Sequence, residues 1–123
     1  IMTDSHLTLS VGETLFTQGD EGDTMFVITT GEIQISRIVD GQKTVLANLG
    51  SGEFLGEMSL VNQEARSATG IATQPTTLMV YNKEKFTELL TTRPLIAQRI
   101  IERLADRLRQ TTEQLTELKS KLD

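Results

Sequence analysis

Between residues 7 and 81 the chain alternates short apolar segments with polar breaks. The breaks are Gly12, Gly19-Asp20-Glu21-Gly22-Asp23, Gly31, Asp40-Gly41, Gly50-Ser51-Gly52, Gly56 and Gly70, and they contain all 9 glycines. The intervening segments (14–17, 25–30, 33–38, 44–49, 67–72 and 76–81) are rich in Val, Ile, Thr and Phe, which is strand composition at strand length. Ile33 and Ile35 alternate with polar neighbours, as one face of a half-buried strand should. Asp40-Gly41 between two such segments predicts a hairpin with a primed turn, because that turn needs positive φ at both central residues. Many short strands at this spacing predict a sandwich or a barrel.

Beyond Tyr81 the period becomes helical. Asn82 can cap a helix whose first turn is Lys83-Glu84-Lys85-Phe86 and which runs to about residue 91. Arg93-Pro94 ends it: the residue before a proline is steered out of the α region, and Pro94 suits the first position of a new helix. From Pro94 to Leu122 no glycine or proline intervenes. Ile101, Leu104, Leu108, Thr111, Leu115, Leu118 and Leu122 recur at alternating spacings of three and four, with charged residues outside the stripe. That is a heptad seam, and it predicts coiled-coil pairing with a second copy. A helix lying on its own barrel is the plainer alternative. The more broadly apolar start (Leu95, Ile96, Ile100, Ile101) is expected to dock on the β part, and the later turns to meet the partner. Residues 1–92 then form a β-barrel with its following helix and 93–123 the long C-terminal helix, within a single domain.

Composition narrows the chemistry. The 123 residues are 37% hydrophobic, enough for one small domain that buries roughly two-thirds of its unfolded surface. With 12 Lys+Arg against 17 Asp+Glu, the net charge of −5 argues against a charge-driven grip on nucleic acid. No apolar run approaches a membrane span, and nothing resembles a signal peptide. Cysteine is absent, compatible with a cytoplasmic location, and His6 is the single histidine. Disulfides, cysteine nucleophiles, serine triads and two-histidine metal grips fall together, so no catalytic residue and no metal ligand is assigned.

One stretch suits a small phosphorylated ligand: Gly52-Glu53-Phe54-Leu55-Gly56-Glu57-Met58-Ser59-Leu60, followed by Arg66-Ser67-Ala68-Thr69. Gly56 lets a backbone approach closely, and a short helix starting near Met58 aims free N–H groups at an anion. Arg66 offers a planar fork for two phosphate oxygens. Glu57, acceptor-only when ionised, suits a sugar hydroxyl, and Ser67 adds a hydroxyl beside Arg66. Singly, a Glu or an Arg is most often a surface charge. A glutamate after glycine in an apolar strand-to-helix turn, with an arginine opening the next strand, reads as a site for a ribose carrying a phosphate. Carboxylate hydrolysis by Glu53 and Glu57 has no facing geometry to support it, and a cupin-type metal enzyme would need several histidines.

These residues resemble the phosphate-binding cassette of the cyclic nucleotide-binding domain family: an aromatic, one residue, Gly-Glu, a small-residue helix turn, then Arg, a small residue, Ala and Thr. The stretches from Gly12 to Asp20 and from Met25 to Ile33 resemble that family's first strand, turn and next hairpin. With its long C-terminal helix the chain is most similar to the sensor domain of bacterial cyclic AMP receptor proteins of the catabolite activator type. The resemblance implies an α+β, mainly β fold: an antiparallel jelly-roll β-barrel with a short cassette helix and C-terminal helices, the last coiled-coil-like. It implies a sensor used in signal transduction and transcription regulation, not an enzyme, with no cofactor. The expected ligand is cAMP, with cGMP left open, and the expected partner is a second copy. Glu57 would hold the ribose 2′-hydroxyl. Arg66 would hold the phosphate, with Ser67, Ala68 and the amides of Gly56, Glu57, Met58 and Ser59. Ile35 and Leu46 would wall the base. Thr111 and Thr112, one from each subunit, would meet the adenine amino group; the other reading of Thr111 is a polar residue that sets helix register. Ala65 stands where the cassette usually has proline, which should loosen the loop. The chain begins at Ile1-Met2 without the family's leading helices, and no DNA-reading motif follows Asp123, so it is expected to be a regulator's fragment or a domain that signals alone. A dimerisation or docking module that no longer binds nucleotide is the alternative.

Overall fold

The computed structural model describes residues 6–122; Ile1, Met2 and Asp123, invoked above for the chain's limits, lie outside that range. Eight strands come in order: β1 (His6–Leu9), β2 (Thr14–Phe16), β3 (Met25–Thr30), β4 (Ile33–Val39), β5 (Gln42–Leu49), β6 (Phe54–Leu55), β7 (Thr69–Ala72) and β8 (Thr76–Tyr81). Helix α1 (Glu57–Asn62) separates β6 from β7, and α2 (Lys83–Thr92) and α3 (Pro94–Leu122) follow the strands. The strands make two antiparallel four-stranded sheets, ordered β1-β8-β3-β6 and β2-β7-β4-β5. This is the jelly-roll arrangement that the family resemblance implies.

The sheets share one core. Leu9, Phe26, Ile28, Leu55 and Leu78 enter from the first sheet and Ile33 and Ala72 from the second, with Leu15, Phe16 and Ile35 packed around them. These are the alternate positions of the short Val/Ile/Phe segments, so period-two patterning is what orients the sheets. The β4–β5 hairpin turns on Asp40 and Gly41, with φ of 52° and 78°, the primed turn the dipeptide predicts. A bulge interrupts the ladder: Ala47 lies opposite Ile35 and Val45 opposite Ser36, which leaves Leu46 as the extra residue.

The described residues fall into two compact units that divide between Phe86 and Thr87. Asn82 caps α2 as expected, its Oδ1 accepting from the Lys85 N–H at 2.8 Å. The Arg93 carbonyl accepts from Ile96 and Ala97, so α3 opens with Pro94 where the missing N–H costs nothing. Along α3, Ala97 and Ile100 are buried, whereas the seam residues from Ile101 onward are exposed. Among the described residues no helix is long and apolar enough to cross a membrane.

Candidate functional site

Arg66 organises the site. It is 6% exposed, an uncommon position for an arginine, and every contact it makes explains how the charge is tolerated. Nη1 donates to the Thr24 carbonyl (2.8 Å) and more weakly to the Gly56 carbonyl (3.4 Å), and Nη2 donates to Thr24 Oγ1 (2.9 Å). The guanidinium carbon sits 4.7 Å from the centroid of Phe16 and 5.5 Å from that of Phe26, rings that lie 6.0 Å apart. The planar, weakly hydrated cation is thus held against two aromatic rings, which a lysine would not match. Its main chain is fixed by the same turn: the Arg66 N–H donates to the Asp20 carbonyl and the Gly19 N–H to the Arg66 carbonyl, both at 2.8 Å. Burial lowers the guanidinium pKa, and the charges of Asp23 and then Asp20 oppose that shift.

Two glycines make room for this side chain. A Cβ on Gly22 would overlap Arg66 Nε and Cζ, and one on Gly56 would lie 2.6 Å from Nη1. Gly56 also has φ of 84°, the left-handed conformation that glycine adopts without penalty. It is the residue at which β6 turns into α1. The helix starts at Glu57, one residue before the expected start, and no side chain caps it.

Of the cassette residues, the structure shows Gly56 and Arg66 in contact. Glu57 and Met58 open α1, and Ser59 is buried within it. Ser67 and Ala68 directly follow Arg66 in a bend rather than in the strand expected at 67–72, because β7 begins only at Thr69. Ile35 lies opposite Gly70 on β7, half-buried, and Leu46 is the bulged, 55% exposed residue next to it across the β4–β5 ladder. Thr111 and Thr112 are exposed on α3, in the second unit. The Thr112 hydroxyl donates to the Leu108 carbonyl at 2.9 Å.

The contribution of the turn at 19–24 was not foreseen. Gly19-Asp20-Glu21-Gly22-Asp23 reads as a strand break, yet with Thr24 it is what holds Arg66. The available signal was the double glycine in a short acidic run, more space than a tight turn requires. Beside it lies a cleft of about 460 Å³ lined by Glu21, Gly22, Asp23, Gln63, Glu64 and Ala65. Its three carboxylates repel an anion.

A family model for the cyclic nucleotide-binding domain matches residues 6–93. Over 105 residues the chain is 36% identical to the cyclic AMP receptor protein of Thermus thermophilus, covering 85% of this chain and 49% of the relative. Over 82 residues it is 33% identical to a cGMP-dependent protein kinase, egl-4, of Caenorhabditis briggsae, covering 64% of this chain and 11% of the kinase. The crystal structure of Thermus thermophilus catabolite activator protein superposes with a TM-score of 0.84 at 33% identity, covering 94% of this chain and 55% of that one. The chain spans about half the length of the curated receptor proteins it matches.

Proposed function

The chain belongs to the cyclic nucleotide-binding domain family, and from that premise we propose that it is a regulatory sensor domain whose ligand is cAMP. The observation that carries this reading is the buried Arg66 guanidinium in contact with Gly56, where β6 turns into α1. A cation held away from water attracts an anion strongly, and its desolvation is already complete before the ligand arrives. The Nη1 contact with the Gly56 carbonyl, at 3.4 Å the longest of the three, is the one a phosphate oxygen replaces. The amides of 56–59, with Ser67 and Ala68, line the phosphate. Glu57 accepts from the ribose 2′-hydroxyl, and Ile35 and Leu46 flank the base.

Preference for adenine rests on Thr111 and Thr112. Because the Thr112 hydroxyl hydrogen is committed to Leu108, its oxygen is left as an acceptor, suited to the amino group of adenine and not to the carbonyl that guanine presents there. Ser67 excludes neither base. The exposed seam of α3 pairs two copies, which brings a threonine from each subunit to the base, and nucleotide binding shifts the position of that helix. No residue is assigned a catalytic role.

Calorimetric titration with cAMP and with cGMP, alongside native mass measurement, tests the reading. Heat with cAMP and weaker heat with cGMP, on a dimer, is expected. A dimer that gives no heat with either nucleotide would mean the docking module instead.

A further inference from the structure

Ser59 is 2% exposed inside α1, yet its hydroxyl leaves the helix: Oγ donates to the Glu64 carbonyl at 2.7 Å. Its carbonyl accepts from the Gln63 N–H at 3.1 Å, with Gln63 in the left-handed conformation (φ 57°) that ends the helix. One buried residue therefore closes the loop after α1 at two points, by main chain and by side chain. The far end of the loop is clamped by the pairing of Arg66 with Gly19 and Asp20. Between these clamps Gln63, Glu64 and Ala65 are all exposed, so burial does not order them. Ala65, directly before Arg66, has the backbone freedom of an ordinary residue.

We infer that Ser59 is a positioning residue: its hydroxyl presets the 63–65 loop so that Arg66 and the first turn of α1 present to the same ligand. This rests on the nucleotide-binding reading above. A loop ordered before binding loses no further conformational entropy when the ligand arrives, and that saving appears as affinity. The hydroxyl does not act by touching the ligand, since its hydrogen is committed to Glu64. Removing it leaves a carbonyl on an exposed residue, which water can satisfy, so the fold itself should barely notice. Proline at Ala65 would restrict the same loop by another route, because φ there is already negative and proline narrows the alternatives.

Amide hydrogen exchange across 63–67 in the ligand-free protein, thermal melting, and calorimetric cAMP affinity are measured for the wild type, S59A and S59A/A65P. Loss of one hydrogen bond predicts an S59A Kd higher by about 5- to 10-fold and faster exchange in the loop, with little change in melting temperature. In the double variant, slower loop exchange and a Kd within about twofold of the wild type are expected. An S59A protein with wild-type loop exchange overturns the inference, as does a loss of affinity that A65P leaves untouched. Should the wild type take up no nucleotide, the nucleotide-binding reading fails by itself, and loop exchange in S59A against the wild type still decides whether the latch exists.

Discussion

At the scale of single residues, the site depends on how one cation is housed. Arg66 combines a fork on Thr24, two aromatic neighbours and a weak contact with Gly56. Arg66→Ala should therefore cost nucleotide affinity by at least about 2 kcal/mol, roughly thirtyfold in Kd, read by calorimetry. A sharper probe is Gly22→Ala, which adds one methyl group outside the cassette. Gly22 needs no unusual φ, so the effect is purely one of space: the new Cβ overlaps Arg66 Nε and forces the guanidinium off Thr24. Affinity should fall by about tenfold or more while the barrel still melts cooperatively, since the displacement is that of a side chain. Wild-type affinity in Gly22→Ala would mean that the seat on Thr24 is not what the ligand meets. The contact between Gly56 and Arg66 was legible, because a glycine at a strand-to-helix turn leaves room for an arginine that opens the next segment. Thr24 and Gly22 were not, since their role exists only once Arg66 has been folded onto them, from 42 residues away in the case of Thr24.

Among the elements, local chemistry decides most and predicts best. The β4–β5 turn is the clearest case. Gly41 has φ of 78° and open space where a Cβ would go, so a substitution there meets strain and nothing else. Gly41→Ala should lower unfolding free energy by about 1 kcal/mol, measured by denaturant titration, and leave nucleotide affinity unchanged. The helices were equally legible, because Asn82 supplies the cap and Arg93-Pro94 the break, each with a mechanism confined to a few neighbours. Two strands were not. β1 and β6 fall outside the segments that composition marks, and each is defined by its partner: β1 by β8, β6 by β3. The same nonlocality moved the start of β7 from residue 67 to Thr69, where pairing with Ser36 begins. The bulge at Leu46 also has no signal in composition, as it arises from how two strands count against each other.

For the molecule as a whole, the exposed seam is the feature that asks for a partner. Leu104, Leu108, Leu115, Leu118 and Leu122 range from 40% to 78% exposed along a single helix of 29 residues. Exposed apolar stripes of this regularity are more costly to leave in water than scattered leucines. In the proposed dimer Leu115 is a core position, so Leu115→Asp should shift the native mass from dimer to monomer at micromolar concentration. The same variant should weaken cAMP more than cGMP if a threonine from each subunit reads the adenine amino group. A dimer that survives the substitution would place the contact elsewhere. The way Arg66 is held has a consequence for synthesis as well. Its clamps lie on a turn that leaves the ribosome some forty residues earlier, and the bond to Thr24 closes a loop of 42 residues. Closing such a loop is entropically expensive until β2 and β3 have partners to hold it shut. β7, the partner of β2, comes after the arginine in the chain. A nascent chain arrested before β7 thus carries the cassette through Ala68 and no seat for its charge. The ability to capture an anion would arise late, as one cooperative event, and a ligand present in the cell would act on the finished barrel and not on its precursors.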